Sequence, residues 1–142
     1  MAVRTATAEW KGNLPDGSGT MKSETGAIDG QFSFKSRFQE GTGTNPEELL
    51  GAAHAGCFSM ALSNILAEAG YEPTSVKTED RVHLEKTDDG FTITRIKMQV
   101  DAQVPNISED DFNKHAEEAK NGCPVSRALT GVTFEMQATL NK

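Results

Sequence analysis

Cys57 and Cys123 are the only two thiols in this 142-residue chain, and thiol chemistry is the first chemistry its residues offer. They lie sixty-six positions apart, so neither a Cys-x-x-Cys redox loop nor a local metal knuckle is available. If they act jointly, the fold must bring them together. A nucleophilic cysteine reacts as its thiolate, and an ordinary pKa of about 8.5 leaves roughly 3% ionised at pH 7. A cation fixed beside the sulfur that lowered the pKa to about 6 would raise that fraction roughly thirtyfold, worth about 2 kcal/mol. Arg37 and His54 are the candidate cations. Arg37 is permanently charged, and its fork can engage a carboxylate while another N–H faces a sulfur. Glu47 is the carboxylate placed to fix it. His54 precedes Cys57 by three positions, roughly 60° round a helix, so contact is geometrically allowed.

Each residue also has a plain structural reading. Cys57 fits a small core hydrophobe, Cys123 a turn residue and His54 a satisfied core or interface histidine. Arg37 fits an exposed strand cation, and Glu47 a partner for the helix dipole.

The elements that must position these groups can be read along the chain. Ala2 to Trp10, a Gly- and Pro-bearing turn and the residues after it give two strands. In Gln31–Phe38 the apolar period is two, which predicts a third strand with Phe32, Phe34 and Phe38 on one face and Arg37 on the other. Asn45-Pro46-Glu47-Glu48 is a helix start: a capping amide, Pro at the first helical position and Glu three after the cap. From Leu49 to Ala67 no Asp, Glu, Lys or Arg occurs, so the helix is expected to be buried on nearly every side. A membrane span is the competing reading, but Gly51, His54, Gly56, Ser59, Ser63 and Asn64 make the segment only weakly apolar. One small domain would struggle to wrap such a helix alone, which predicts a homodimer.

Gly70 and Pro73 end the helix, Val76–Leu84 reads as a strand, and Thr87–Gly90 as a hairpin turn. In the returning strand the apolar phase slips by one residue near Thr94, predicting a β-bulge. Ser108 caps a helix that ends at Gly122. Cys123-Pro124 opens a short helix through Leu129, with Cys123 at its N-cap, where unpaired N–H groups favour a thiolate. The alternation from Val132 to Leu140 gives a closing strand. The order β-β-β-α-β-β-α-α-β is that of an α+β domain, expected to be single and to span residues 1–142.

Net charge is −7, which disfavours nucleic acid and anionic membranes as partners. Two cysteines and no apolar leader segment at Met1 argue for a reducing, cytoplasmic setting and against a disulfide scaffold.

The run from Arg37 through Asn45-Pro-Glu-Glu and Gly51-Ala-Ala-His-Ala-Gly-Cys57 to Leu62, followed by Gly122-Cys-Pro-Val-Ser126, resembles the OsmC/Ohr family of thiol peroxidases. The resemblance covers the chain nearly end to end and is nearer the OsmC branch, because the matching arginine is Arg37 in the strand before the helix. It implies antiparallel sheets around a long central helix in an intertwined homodimer, with active sites at the interface. It implies Cys57 as the peroxidatic thiol and Cys123 as the resolving thiol. Arg37 would ionise Cys57 and bind peroxide oxygens, and Glu47 would orient Arg37; no role follows for His54. The implied substrates are organic hydroperoxides, with hydrogen peroxide left open, and the implied reductant is a lipoyl-type dithiol. No cofactor or metal is implied. Phe58, Met60 and the small helix residues are expected to wall the pocket. A dimeric binding module for small apolar ligands is the alternative, with both cysteines purely structural.

Overall fold

The computed structural model of the chain describes residues 2–141, which divide into two compact units meeting between Leu49 and Leu50. In the first unit, β1 (Ala6–Lys11), β2 (Ser18–Ser23) and β3 (Asp29–Phe32) form an antiparallel sheet in sequence order. Trp10 and Phe32 pack across it with ring centroids 5.2 Å apart.

The aromatic run after β3 does not stay extended. A helix, α1 (Phe34–Phe38), replaces the end of the expected strand, so the observed order is β-β-β-α-α-β-β-α-α-β. The cause is local. The Ser33 hydroxyl accepts from the Ser36 N–H at 3.2 Å while Ser36 Oγ accepts from the Ser33 N–H at 2.8 Å, a reciprocal cap that nucleates a helical turn. Phe34 and Phe38, four apart, then meet with centroids 4.9 Å apart. Arg37 joins them instead of pointing away, its guanidinium carbon 5.3 Å from the centre of the Phe38 ring.

Helix α2 (Pro46–Glu68) starts as its sequence dictates, with Asn45 Oδ1 accepting the Glu48 N–H at 2.8 Å. It ends at Gly70 (φ +96°) in a Schellman motif: the Gly70 N–H reaches the Ala67 carbonyl and the Tyr71 N–H the Leu66 carbonyl. Within this chain only one stripe of α2 is buried. Gly51, His54, Phe58, Leu62 and Leu66 turn inward, whereas Ala52, Ala53, Gly56, Met60 and Asn64 stay exposed. Burial on nearly every side is therefore not what a single chain achieves. The helix is long and apolar enough to cross a membrane by length and composition alone, but its inward stripe belongs to the protein core.

In the second unit, β4 (Ser75–Thr87) and β5 (Gly90–Gln103) form a long antiparallel hairpin. His83 pairs with Arg95 and Leu84 with Ile93, so Thr94 is the extra residue of the expected bulge. Helices α3 (Glu109–Gly122) and α4 (Pro124–Ala128) follow, and β6 (Thr133–Asn141) then runs parallel to β5. The second sheet is thus mixed, not antiparallel throughout, because the two helices carry the chain back to the same end before β6 begins. Phe58, Leu62 and Leu66 of α2, Ile96, Met98, Val100 and Ala102 of β5, and Phe112, Ala116 and Ala119 of α3 fill the core beneath it.

Candidate active site

The cysteines are brought together in the second unit. Cys57 lies half-buried on α2, next to the fully buried Phe58. Cys123 joins two helices. Its N–H closes α3 on the Ala119 carbonyl at 3.0 Å, and its Sγ accepts the Ser126 N–H at 3.4 Å as the N-cap of α4, with Pro124 at the first helical position. The Cys57 thiol is within hydrogen-bonding reach of both the Cys123 thiol and the Val125 N–H. Burial pushes its pKa up most strongly. The Val125 N–H pulls it down, and Cys123 raises it again through hydrogen bonding and charge repulsion. These neighbours favour the neutral thiol, so ionisation needs a further positive group. Both thiols are free.

Arg37 and Glu47 meet in the first unit. Glu47 Oε1 accepts from Arg37 Nε at 3.0 Å and from Nη2 at 2.8 Å. The loop between their helices is tied down on both sides. Ser36 Oγ donates to the Thr44 carbonyl at 2.7 Å, Asn45 Nδ2 to the Ser36 carbonyl at 3.0 Å, and the Thr44 N–H to the Gln31 carbonyl at 2.7 Å. Gly43 permits this path: its φ is +110°, and a Cβ there would fall 2.4 Å from the Gln31 oxygen. A cavity of about 410 Å³ opens beside Arg37, walled by Trp10, Leu14, Phe32, Phe34 and Phe38. Of the residues expected to wall a pocket, Phe58 is wholly in the core and Met60 is 77% exposed. The sequence pattern groups Phe32, Phe34 and Phe38 on one face but sets Arg37 opposite them, because α1 reads as a strand.

His54 has neither ring nitrogen to spare for Cys57. Fully buried, it bonds Asp80 Oδ2 through Nδ1 and Ser126 Oγ through Nε2 at 2.8 Å, and it stacks on Phe134 with centroids 4.6 Å apart. Ser126 Oγ lies 2.9 Å from Cys123 Sγ. Asp80 and Ser126 were not singled out from sequence; the one available hint was Ser126, three residues past Cys123, where a capped helix needs an N–H donor. Among the described residues, no group of three or more His, Cys, Asp and Glu side chains is arranged to hold a metal ion.

The family profile described as OsmC-like protein matches residues 39–137, taking in Glu47, Cys57 and Cys123. The chain belongs to the OsmC-like family. Over 132 residues this OsmC-like chain is 47% identical to peroxiredoxin OsmC of Escherichia coli, the match covering 92% of each protein. It is 31% identical over 134 residues to the organic hydroperoxide resistance protein OhrB of Bacillus subtilis, covering 92% of this chain and 93% of that one. The OhrB crystal structure superposes with a TM-score of 0.72 at 25% identity, covering 95% and 98% of the two chains. An OsmC-like protein from Mycoplasma pneumoniae shares the fold at a TM-score of 0.75 and 18% identity, with 99% of each chain covered.

Proposed function

We infer that this OsmC-like protein is a cysteine peroxidase that reduces organic hydroperoxides to alcohols. The observation that carries the reading is the meeting of the Cys57 and Cys123 thiols, distant in sequence, with Cys123 fixed at a helix start. The 47% identity to a peroxiredoxin over nearly the whole chain supports it.

Cys57 thiolate attacks the distal oxygen of ROOH. The S–O bond forms as the O–O bond breaks, the alkoxide leaves as ROH on taking a proton, and Cys57 becomes a sulfenic acid. Cys123 then attacks the Cys57 sulfur; the disulfide forms and the sulfenic oxygen leaves as water. A dithiol of lipoyl type returns both cysteines to thiols and becomes a disulfide itself.

Arg37 supplies the positive charge that ionises Cys57 against its burial and stabilises charge developing on the peroxide oxygens. Glu47 aims it. The aromatic cavity beside Arg37 suits the hydrocarbon part of an organic peroxide better than hydrogen peroxide. A homodimer covers the exposed Ala52, Ala53, Gly56 and Met60 face of α2 and completes the site, as the small side chains there permit close approach. The two free thiols suit a reducing cytoplasm.

Consumption of tert-butyl hydroperoxide in the presence of dihydrolipoamide tests the reading. The wild type is expected to turn over and Cys57→Ser to be inert; equal consumption by both would reject it.

A further inference from the structure

Cys123, read as the resolving thiol, has almost no solvent contact through which to lose its proton as it attacks. It is 1% exposed, and Ser126, whose hydroxyl and N–H touch its sulfur, is itself buried. Ser126 begins a continuous run of hydrogen bonds to a carboxylate: Cys123 Sγ to Ser126 Oγ at 2.9 Å, Ser126 Oγ to His54 Nε2 at 2.8 Å, and His54 Nδ1 to Asp80 Oδ2. The carboxylate sets the direction of the whole run. With Asp80 as a carboxylate, which only accepts, the arrangement is satisfied by His54 donating from Nδ1 and accepting at Nε2. The Ser126 hydroxyl must then donate to Nε2, which leaves its lone pairs facing the Cys123 S–H.

We propose that Ser126, His54 and Asp80 form a proton relay that deprotonates Cys123 as it attacks the Cys57 sulfenic acid. This rests on the reading of Cys123 as the resolving thiol. Ser126 is the catalytic residue of the relay, because it touches the reacting sulfur; His54 and Asp80 act through it and are positioning residues. In the step, the Cys123 proton moves to Ser126 Oγ as the Ser126 proton moves to His54 Nε2. The S–S bond forms while the Cys57 S–O bond breaks, the departing hydroxide takes a proton from solvent at the half-exposed Cys57 and leaves as water, and His54 returns its proton through Ser126 to Cys123 when the dithiol reopens the disulfide. An imidazolium at His54 pairs with Asp80, whose side chain is 1% exposed and whose Oδ1 has no partner among the described residues. The buried negative charge is thus neutralised while the proton is in transit. The Ser126 N–H, donating to Cys123 Sγ at 3.4 Å, steadies the charge left on sulfur.

The fold builds this line deliberately close. Gly51, one turn before His54, lets α2 approach β4, since a Cβ there would meet Val82 Cγ2 at 3.2 Å and Asp80 Cβ at 3.8 Å. Phe134 of β6 fixes the imidazole plane.

Single-turnover oxidation by one equivalent of tert-butyl hydroperoxide, quenched and read by mass spectrometry, separates Cys57 sulfenic acid formation from disulfide formation. Ser126→Ala removes the first acceptor. Asp80→Asn keeps the shape but favours the other imidazole tautomer, whose Nε2–H cannot accept. Both variants are expected to form sulfenic acid within twofold of the wild-type rate, and to form the disulfide at least tenfold more slowly, with sulfenic acid accumulating for trapping by dimedone. Wild-type disulfide rates in both variants, or equal slowing of both steps, would overturn the relay. A wild type that forms sulfenic acid but no Cys57–Cys123 disulfide would instead overturn the reading on which the relay rests. Should Asp80→Asn fail to fold, Ser126→Ala decides alone.

Discussion

Glu47 grips Arg37 through a single carboxylate oxygen. Oε1 takes both the Nε and Nη2 hydrogens, while Oε2 is buried without a partner among the described residues and the Nη1 edge of the guanidinium makes no hydrogen bond there. A one-oxygen grip fixes the plane of the fork and leaves its other edge available for an anion. Such a pair is only partly exposed, so its value lies in geometry more than in stability.

Arg37→Met therefore separates aiming from folding. Burial already holds the Cys57 pKa above its usual value, and on the proposed role of Arg37 the loss of its cation is expected to move it further up. A raised thiol pKa means less thiolate below it. Oxidation of Cys57 at pH 7 is expected to slow at least tenfold and to recover as pH rises through the thiol pKa. Glu47→Gln, which keeps one accepting oxygen, is expected to lose less. Thiolate absorbance followed against pH checks the assignment, and an unchanged titration in Arg37→Met would remove Arg37 from its role.

Cys123→Ser leaves the first chemical step intact and removes the second. One equivalent of peroxide should be consumed, with Cys57 stopping as a sulfenic acid that dimedone captures, and no further turnover with a dithiol. Continued turnover at the wild-type rate would show that resolution does not pass through Cys123.

Gly43 and Gly26 distinguish two costs of a left-handed backbone. Both have positive φ, but a Cβ at Gly26 meets nothing within 4 Å, whereas at Gly43 it strikes the Gln31 carbonyl. Gly26→Ala should cost about 1–2 kcal/mol of stability from the backbone conformation alone. Gly43→Ala should cost more, read as a lower urea midpoint, and should also impair Cys57 oxidation because the Arg37–Glu47 loop moves.

Much of the architecture was legible in the sequence, because local signals agreed with tertiary demands. The Asn45-Pro46 start of α2, the Gly70 stop, the bulge at Thr94 and the Cys123 cap all stand where side-chain chemistry places them. Phe34 to Phe38 failed because apolar residues two and four apart satisfy either a strand or a helix, and the deciding contact is the small reciprocal Ser33–Ser36 cap. The parallel placement of β6 is set by how α3 and α4 pack, which no local pattern encodes. Of the site, the residue types were legible in Cys57, Cys123, Arg37 and Glu47. Asp80 was not, since nothing in an alternating strand marks one carboxylate as buried and bonded to a histidine twenty-six residues earlier.

The exposed face of α2 makes a separate expectation. Light scattering at micromolar concentration should give a dimer for the wild type, and Met60→Glu, which puts a charge in the middle of that face, should shift it toward monomer. A monomeric wild type would contradict the proposed assembly.

Cys57 and Cys123 are proposed as a peroxidatic and resolving pair. Intact-mass and peptide mass spectrometry after one equivalent of an organic hydroperoxide tests it most directly. A loss of two hydrogens and a Cys57–Cys123 cross-link is expected; a chain that remained fully reduced would rule the pair out and favour a binding module with two structural cysteines.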